Sequence, residues 1–399
     1  MNDSRLTPEG TRDVLFEASE AQAHIEETLR NFYYCRGFRE VRTPGIEFYD
    51  VFSRKAQYFP PESMYKLSDN HGSLIVMRPD STIPMARLVS TKYRNKALPL
   101  RLCYDQVVYR TSRSLDGISH EMRQSGVEII GAGGVKSDLE ILKMACDVFP
   151  AIDPGLGWRL EIGHSGIYRA LVNAMGCNED EADAIYTAAD ERNYSALNDI
   201  AARYTGRRAA EVLRRLPRLF GGEEVFDEAR SLLQGLGSEV DAALDHLQWL
   251  FSQFEKLDMA DKIMIDLGMV NQADYYSGII FRAYTDGVGT AVLSGGRYDH
   301  LLEDFGMHAQ ACGFGVRVDQ LAQVLLRHAP LFYARPDMIF AEAEDMAGAL
   351  QWLSTHRLCL EWSVAEDLQS AMNDAAARGC GTLMYYHDGK VDKLEVSHA

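Results

Sequence analysis

Apolar positions along the chain change their period several times, and each change predicts an element. Ala21, Ile25, Leu29 and Phe32 recur at helical spacing, so residues 17–35 read as a helix closed by Gly37. From Phe38 to Thr43 apolar and polar residues alternate, which predicts a strand stopped by Pro44. Leu74–Met77, Leu100–Tyr109 and Gly126–Ile130 read as further strands, and Ser137–Val148 returns to the helical period. Strands joined by long excursions predict an α+β fold, with an antiparallel sheet flanked by helices rather than a doubly wound parallel sheet.

From about residue 167 to 257 the pattern is mostly helical, carried by Leu171, Met175, Leu213, Leu216, Leu232, Leu244, Leu247 and Leu250. Strands resume at Ile263–Leu267, Gly278–Tyr284 and Gly289–Leu293, so the helices form an insertion within one sheet domain, residues 1–330. A boundary is expected at His328-Ala329-Pro330 and Arg335-Pro336. Residues 331–399 then predict a small α/β domain. It has a strand Asp337–Ala341, helices Glu344–His356 and Val364–Arg378, a strand Thr382–Tyr386, a turn at Asp388-Gly389 and a strand Lys390–Val396.

Composition narrows the function classes. The 399 residues suffice for a large core, and no apolar stretch is long enough to span a bilayer. Polar sequence follows Met1, with no signal-peptide pattern, so a soluble cytoplasmic protein is expected. A net formal charge of −17 opposes a broad nucleic-acid surface. The one basic cluster, Arg203, Arg207, Arg208, Arg214, Arg215 and Arg218, reads as a solvated helix face, with a partner contact as the sharper alternative. The seven cysteines include no CxxC pair and read as reduced core thiols. His24, His71, His120, His164 and His300 lack metal-ligand spacing, and Gly131-Ala132-Gly133-Gly134 lacks the lysine of a phosphate-binding loop, so no metal or cofactor is expected. Ser165 reads as a helix N-cap rather than a nucleophile.

The candidate chemistry lies in a series of motifs. Thr7-Pro8-Glu9-Gly10-Thr11-Arg12-Asp13 opens it, followed by Gly37-Phe38 to Pro44-Gly45-Ile46-Glu47 and by Arg78-Pro79-Asp80-Ser81-Thr82. Tyr109-Arg110-Thr111-Ser112-Arg113 leads to Arg123-Gln124-Ser125-Gly126-Val127-Glu128. Then come Asp274-Tyr275-Tyr276-Ser277-Gly278, Gly295-Gly296-Arg297-Tyr298-Asp299 and Gly313-Phe314-Gly315-Val316-Arg317-Val318-Asp319-Gln320-Leu321. In this order they resemble the class II aminoacyl-tRNA synthetase core of the histidyl-tRNA synthetase family. The resemblance implies a pocket for free histidine. Its ammonium would face Asp80, Thr82 and Gln124. Its imidazole would face Glu128 and Tyr275, with Tyr276 beside them, and Arg110 would be left for the carboxylate. Tyr298 and Asp299 are expected at a tight turn lining the pocket. The segment around Pro44 implies a dimer interface.

The departures from the family are as telling. Adenylation needs preorganised positive charge around a crowded anionic transition state. Where the family has a glutamate two residues after Arg110, this chain has Ser112. The turn that would hold the triphosphate reads Gly117-Ile118-Ser119-His120 instead of carrying arginines. The adenine-stacking arginine falls at Gln320, and the histidine-specific arginine at Asn271. Arg317, three residues earlier than Gln320, occupies a position where the family has a small residue. The tail sets five basic residues (Arg335, Arg357, Arg378, Lys390, Lys393) against eleven acidic ones, a poor surface for RNA. The pattern resembles the synthetase paralogues that serve as regulatory subunits of ATP phosphoribosyltransferase. That resemblance implies a non-catalytic chain in the first step of histidine biosynthesis. Its partners would be the short-form catalytic subunit and itself in a hetero-octamer, with L-histidine as feedback effector. An active synthetase or amino-acid-adenylating ligase is one alternative, and a scaffold that binds no ligand is another.

Overall fold

The computed structural model describes residues 6–53, 59–111, 119–270, 275–328 and 337–397. It divides into two compact units, Met1–Ala329 and Pro330–Ala399. The expected boundary segments at 329–336 lie outside the described residues.

Among the described residues of the first unit, nine strands form one sheet. They are β1 (Arg39–Glu40), β2 (Leu100–Tyr109), β3 (Glu121–Ile130), β4 (Trp158–His164), β5 (Phe220–Gly221), β6 (Ile263–Asp266), β7 (Ile279–Thr285), β8 (Leu293–Arg297) and β9 (Ala311–Arg317). Their spatial order is β1-β2-β3-β9-β8-β7-β4-β6-β5. The central pairings are antiparallel, whereas β1 with β2 and β4 with β6 are parallel.

One face of the sheet carries helices Phe16–Tyr34, Val135–Ile152 and Val318–His328. The first buries Ala21, Ile25, Leu29 and Tyr33. Tyr33 takes the place expected for Phe32, and its ring meets Phe314 edge-on at 6.3 Å. Side chains alternate along a strand, so Phe314 on the helix side puts Gly313, Gly315 and Arg317 on the opposite face. That opposite face holds the candidate site.

Two local readings are corrected. The strand expected at Gly289–Leu293 begins only at Leu293 and runs to Arg297, taking in Gly295 and Gly296, with the expected turn following at Asp299. The glycines are there for space. A Cβ on Gly295 would lie 2.3 Å from the Gly313 carbonyl oxygen, and one on Gly296 would lie 2.6 Å from the Tyr276 ring. The cap of helix Ser165–Met175 is His164, whose Nδ1 accepts from the Gly166 N–H at 3.1 Å. Ser165 instead donates to the Gly278 carbonyl at 3.0 Å. Burial lowers the His164 pKa to about 3, which keeps Nδ1 available as an acceptor.

Six helices between Ser165 and Lys256 form the insertion, with β5 threading back to pair with β6. Half of the arginine cluster there is paired with acids of the same insertion. Arg203 pairs with Glu181 at 3.7 Å, Arg215 with Glu228 at 2.9 Å and Arg214 with Glu211 at 4.0 Å, while Arg208 donates to the Ser231 carbonyl at 3.3 Å. A separate small sheet pairs Ile46–Phe48 and Lys66–Ser68 with Leu74–Met77. Its register puts Ile46, Phe48, Leu67, Ile75 and Met77 on one face, and Ile46, Phe48 and Leu67 are exposed there.

The second unit has a four-stranded sheet in the order Leu360–Trp362, Asp337–Ala341, Thr382–His387, Lys390–Glu395. The first three strands are parallel and the last is antiparallel. Asp388 and Gly389, both at positive φ, form the two-residue turn before the last strand. Helices Met346–Thr355 and Leu368–Ala377 complete the unit.

Candidate functional site

Four chain segments meet above the glycine face. Asp80 sits just before helix Thr82–Lys92, and its Oδ1 accepts from the Ile83 N–H at 2.9 Å. Arg110 leaves the end of β2, and its Nε donates to the Pro79 carbonyl at 2.6 Å. That bond holds the guanidinium 3.8 Å from Asp80 Oδ2 and over the Phe59 ring at 5.2 Å. Gln124 and Glu128 project from β3 with Gly126 between them. Tyr275 and Tyr276 precede β7, their ring centroids 4.6 Å apart.

All seven residues expected at the pocket (Asp80, Thr82, Arg110, Gln124, Glu128, Tyr275 and Tyr276) line one cavity of about 170 Å³. That is below the roughly 300–1,000 Å³ of sites for drug-sized ligands. The space exists because small residues face large polar ones across the strands. Gly313 pairs with Glu128 and Gly126 with Tyr104. A Cβ on Gly313 would stand 1.8 Å from Glu128 Oε2, one on Gly126 2.5 Å from the Tyr104 hydroxyl, and one on Gly315 2.5 Å from Gln124 Nε2.

Glu128 is the electrostatic centre. It is 1% exposed, and burial pushes its pKa up to about 8. Two donors oppose that shift, the Tyr298 hydroxyl on Oε2 and Thr82 Oγ1 on Oε1 at 3.0 Å. Asp80 is likewise raised by burial, with Arg110 pulling it back. Burial raises the Tyr275 hydroxyl well above its ordinary value, so it remains a neutral hydrogen-bonding group. Gln124 Oε1 is buried without a hydrogen-bond partner among the described residues. The cavity thus offers two acids, an unused carbonyl, a guanidinium and phenolic hydroxyls. This set suits a small zwitterion with a polar side chain.

Tyr298, expected at a turn lining the pocket, does line the cavity, whereas Tyr104 was not among the expected residues. Tyr298 bonds Glu128, and its ring stands edge-on to Tyr275 at 5.9 Å. A signal was present for Tyr104, since a large residue facing Gly126 across paired strands marks the edge of a void. Ser112, Gly117, Ile118 and Asn271 lie outside the described residues. His120 meets the Tyr65 hydroxyl through Nδ1 at 2.8 Å, and Gln320 Nε2 donates to Thr290 Oγ1 at 3.0 Å. No group of three or more metal-ligating side chains occurs among the described residues, and no helix there is long and apolar enough to cross a membrane.

Comparison with known proteins agrees with this geometry. The family described as histidyl-tRNA synthetase matches residues 10–321. An ATP phosphoribosyltransferase regulatory subunit from Clostridium kluyveri is 39% identical over 328 residues, which span 81% of this chain and 83% of that protein. A solved structure from Bacillus halodurans, described as an ATP phosphoribosyltransferase regulatory subunit/histidyl-tRNA synthetase, superposes with a TM-score of 0.83 at 29% identity, covering 96% of this chain and 98% of that one. A histidyl-tRNA synthetase from Nostoc sp. PCC 7120 shares the fold at 17% identity, with a TM-score of 0.78 over 98% of this chain and 96% of its own. With the synthetase core matched over most of its length and regulatory subunits among its relatives, the chain belongs to the histidyl-tRNA synthetase-like family of ATP phosphoribosyltransferase regulatory subunits.

Proposed function

We propose that this chain is a non-aminoacylating regulatory subunit that senses free L-histidine for a short-form ATP phosphoribosyltransferase, the first enzyme of histidine biosynthesis. The observation that carries the reading is the convergence of all seven pocket residues on one small cavity with a buried glutamate at its centre. The ligand's ammonium lies against Asp80, Thr82 and the unused Gln124 carbonyl. Its carboxylate lies toward Arg110. Its imidazole meets Glu128 and Tyr275. Below about pH 8 the free Glu128 carboxyl holds a proton, and a neutral imidazole can take it, turning the contact into a charge-assisted pair.

Feedback by histidine requires linkage, because a ligand shifts an equilibrium only by its differential affinity for two states. A tenfold preference is about 1.4 kcal/mol of coupling. A physical route leaves the pocket through the two donors on Glu128. Thr82 opens helix Thr82–Lys92, whose Ile83 and Arg87 form one wall of a groove of about 470 Å³. Tyr298 precedes the turn whose Leu301 and Phe305 form the other wall. Phe48, on the exposed apolar sheet face, closes the groove. That face is the proposed self-association surface, within a hetero-octamer that includes the catalytic chain in the cytoplasm.

Calorimetric titration with L-histidine, and separately with ATP and magnesium, tests the reading. Histidine binding without ATP binding supports the sensor. ATP binding favours a ligase, and silence toward both favours a scaffold.

A further inference from the structure

The two tyrosines of the pocket stand on a backbone segment that is gripped from two sides. On one side is helix Ser165–Met175, the first of the insertion. Its Ser165 donates twice to the Gly278 carbonyl, through the N–H at 2.9 Å and through Oγ at 3.0 Å. One turn further on, Arg169 Nη2 donates to the Tyr276 carbonyl at 2.9 Å. On the other side is β8. The Ser277 N–H donates to the Arg297 carbonyl at 2.8 Å, and Ser277 Oγ accepts from the Asp299 N–H at 2.9 Å. The β8 side is itself fixed, because Arg297 Nε donates to the buried Asp138 Oδ1 at 2.8 Å and Nη1 to Asp299 Oδ1 at 2.9 Å. Tyr276 lies before β7, so the strand ladder does not hold its carbonyl and the Arg169 bond does.

The helix that supplies this bond is built as a stiff lever. It starts from the His164 cap, ends on Gly176 at a φ of 63° and buries Ile167, Tyr168, Leu171, Val172 and Met175. Those side chains pack it against helices Arg208–Arg215 and Ser238–Lys256 of the insertion. At its far end the Met175 carbonyl accepts from Arg207, a member of the arginine cluster. The helix thus joins the insertion at one end to the pocket backbone at the other, and close-packed interiors transmit strain. A guanidinium on a carbonyl is a charge-assisted bond, stronger than the neutral bonds around it.

We infer that Arg169 is a positioning residue for histidine recognition, through which the helical insertion sets the affinity of the pocket. Arg169 does not line the cavity, so it acts through Tyr276 and the adjoining Tyr275, whose ring centroids are 4.6 Å apart. Recognition groups must be held to within about 0.5 Å, so a bond that fixes their backbone weighs on affinity without touching the ligand. The inference rests on the histidine reading and names the part of the chain that holds that site.

The test uses the full chain labelled with meta-fluorotyrosine, the Tyr276 and Tyr34 fluorine signals being assigned by Tyr→Phe variants, together with calorimetry. Arg169→Met keeps the apolar stem and removes the donor. In the free chain the Tyr276 signal is expected to move, while that of Tyr34, exposed at the end of helix Phe16–Tyr34, stays in place. Histidine affinity is expected to fall at least about tenfold. If Arg169→Met does not fold, Ser165→Ala, which removes one of the two bonds to Gly278, decides; it is expected to displace the same signal and to lower affinity about threefold. An unmoved Tyr276 signal, or histidine affinity equal to that of a wild type that binds it, overturns the inference. A displaced signal in a chain whose wild type gives no histidine heat upholds the positioning of Tyr276 and overturns the histidine reading instead.

Discussion

The two cavities on the glycine face differ in how their charges are matched. In the first, Glu128 has a donor on each oxygen, and Asp80 has the Ile83 N–H and a nearby guanidinium. In the second, a cavity of about 400 Å³ at the start of helix Val318–His328, Arg317 has cations for neighbours and Gln320 has turned its amide to Thr290. The first is prearranged for a small zwitterion. The second lacks the arginine that the synthetase resemblance calls for at Gln320 and carries Arg317 instead. On the proposed reading, a sensor needs only the first.

The largest effect that could break this comparison comes from Gly313→Ala. The added carbon would overlap Glu128 Oε2 and stand 2.3 Å from the Val127 carbonyl. Histidine binding is expected to fall at least about 100-fold, with about 1–3 kcal/mol lost in urea unfolding. Retention of affinity would show that the ligand does not approach Glu128.

Glu128→Gln keeps the shape and removes the charge, so affinity is expected to fall by about 1.5–3 kcal/mol in calorimetry. It also has a signature in the free protein. Burial raises the folded-state pKa from an ordinary 4.5 to about 8. The folded chain therefore holds the proton more tightly than the unfolded chain. This contribution to stability is complete below about pH 4.5 and is lost as pH rises through about 8. The difference between wild type and Glu128→Gln in urea unfolding should shift against the wild type between about pH 5 and pH 8.5.

Tyr298→Phe removes one donor from Glu128 and tests whether this residue belongs to the ligand site. Affinity is expected to fall about three- to tenfold, and the pH dependence just described should extend to higher pH because the carboxylate loses a stabilising contact. The smallest effect is expected from Gln320→Arg. One restored arginine does not return the other charges that the resemblance calls for, missing at Ser112 and Asn271, so ATP with magnesium should still give no binding heat. Histidine affinity should change by less than about twofold, as for a site with no shared contacts.

Much of the fold was legible because hydrophobic periodicity reports which face of an element is buried. Ile25 and Leu29 on the first helix and the alternating residues of Leu100–Tyr109 did so directly. Strand β8 was misplaced because Gly295 and Gly296 have no side chains to show alternation, and their reason is the approach of Gly313 and Tyr276 from elsewhere in the chain. The arginine cluster drew attention as a charge run, and folding pairs three of its six members with Glu181, Glu211 and Glu228. The cap went to His164 because burial removes its charge, which no local pattern reveals.

By itself the sequence determined the residue set that lines the first cavity and the α+β class, because residue identity and order are properties of the chain. Tertiary structure decided which atoms are left without partners. Burial raises the Glu128 pKa to about 8, and Gln124 Oε1 and Gln320 Oε1 lack a partner among the described residues, because elements distant in sequence enclose them and withdraw the water that would otherwise satisfy them.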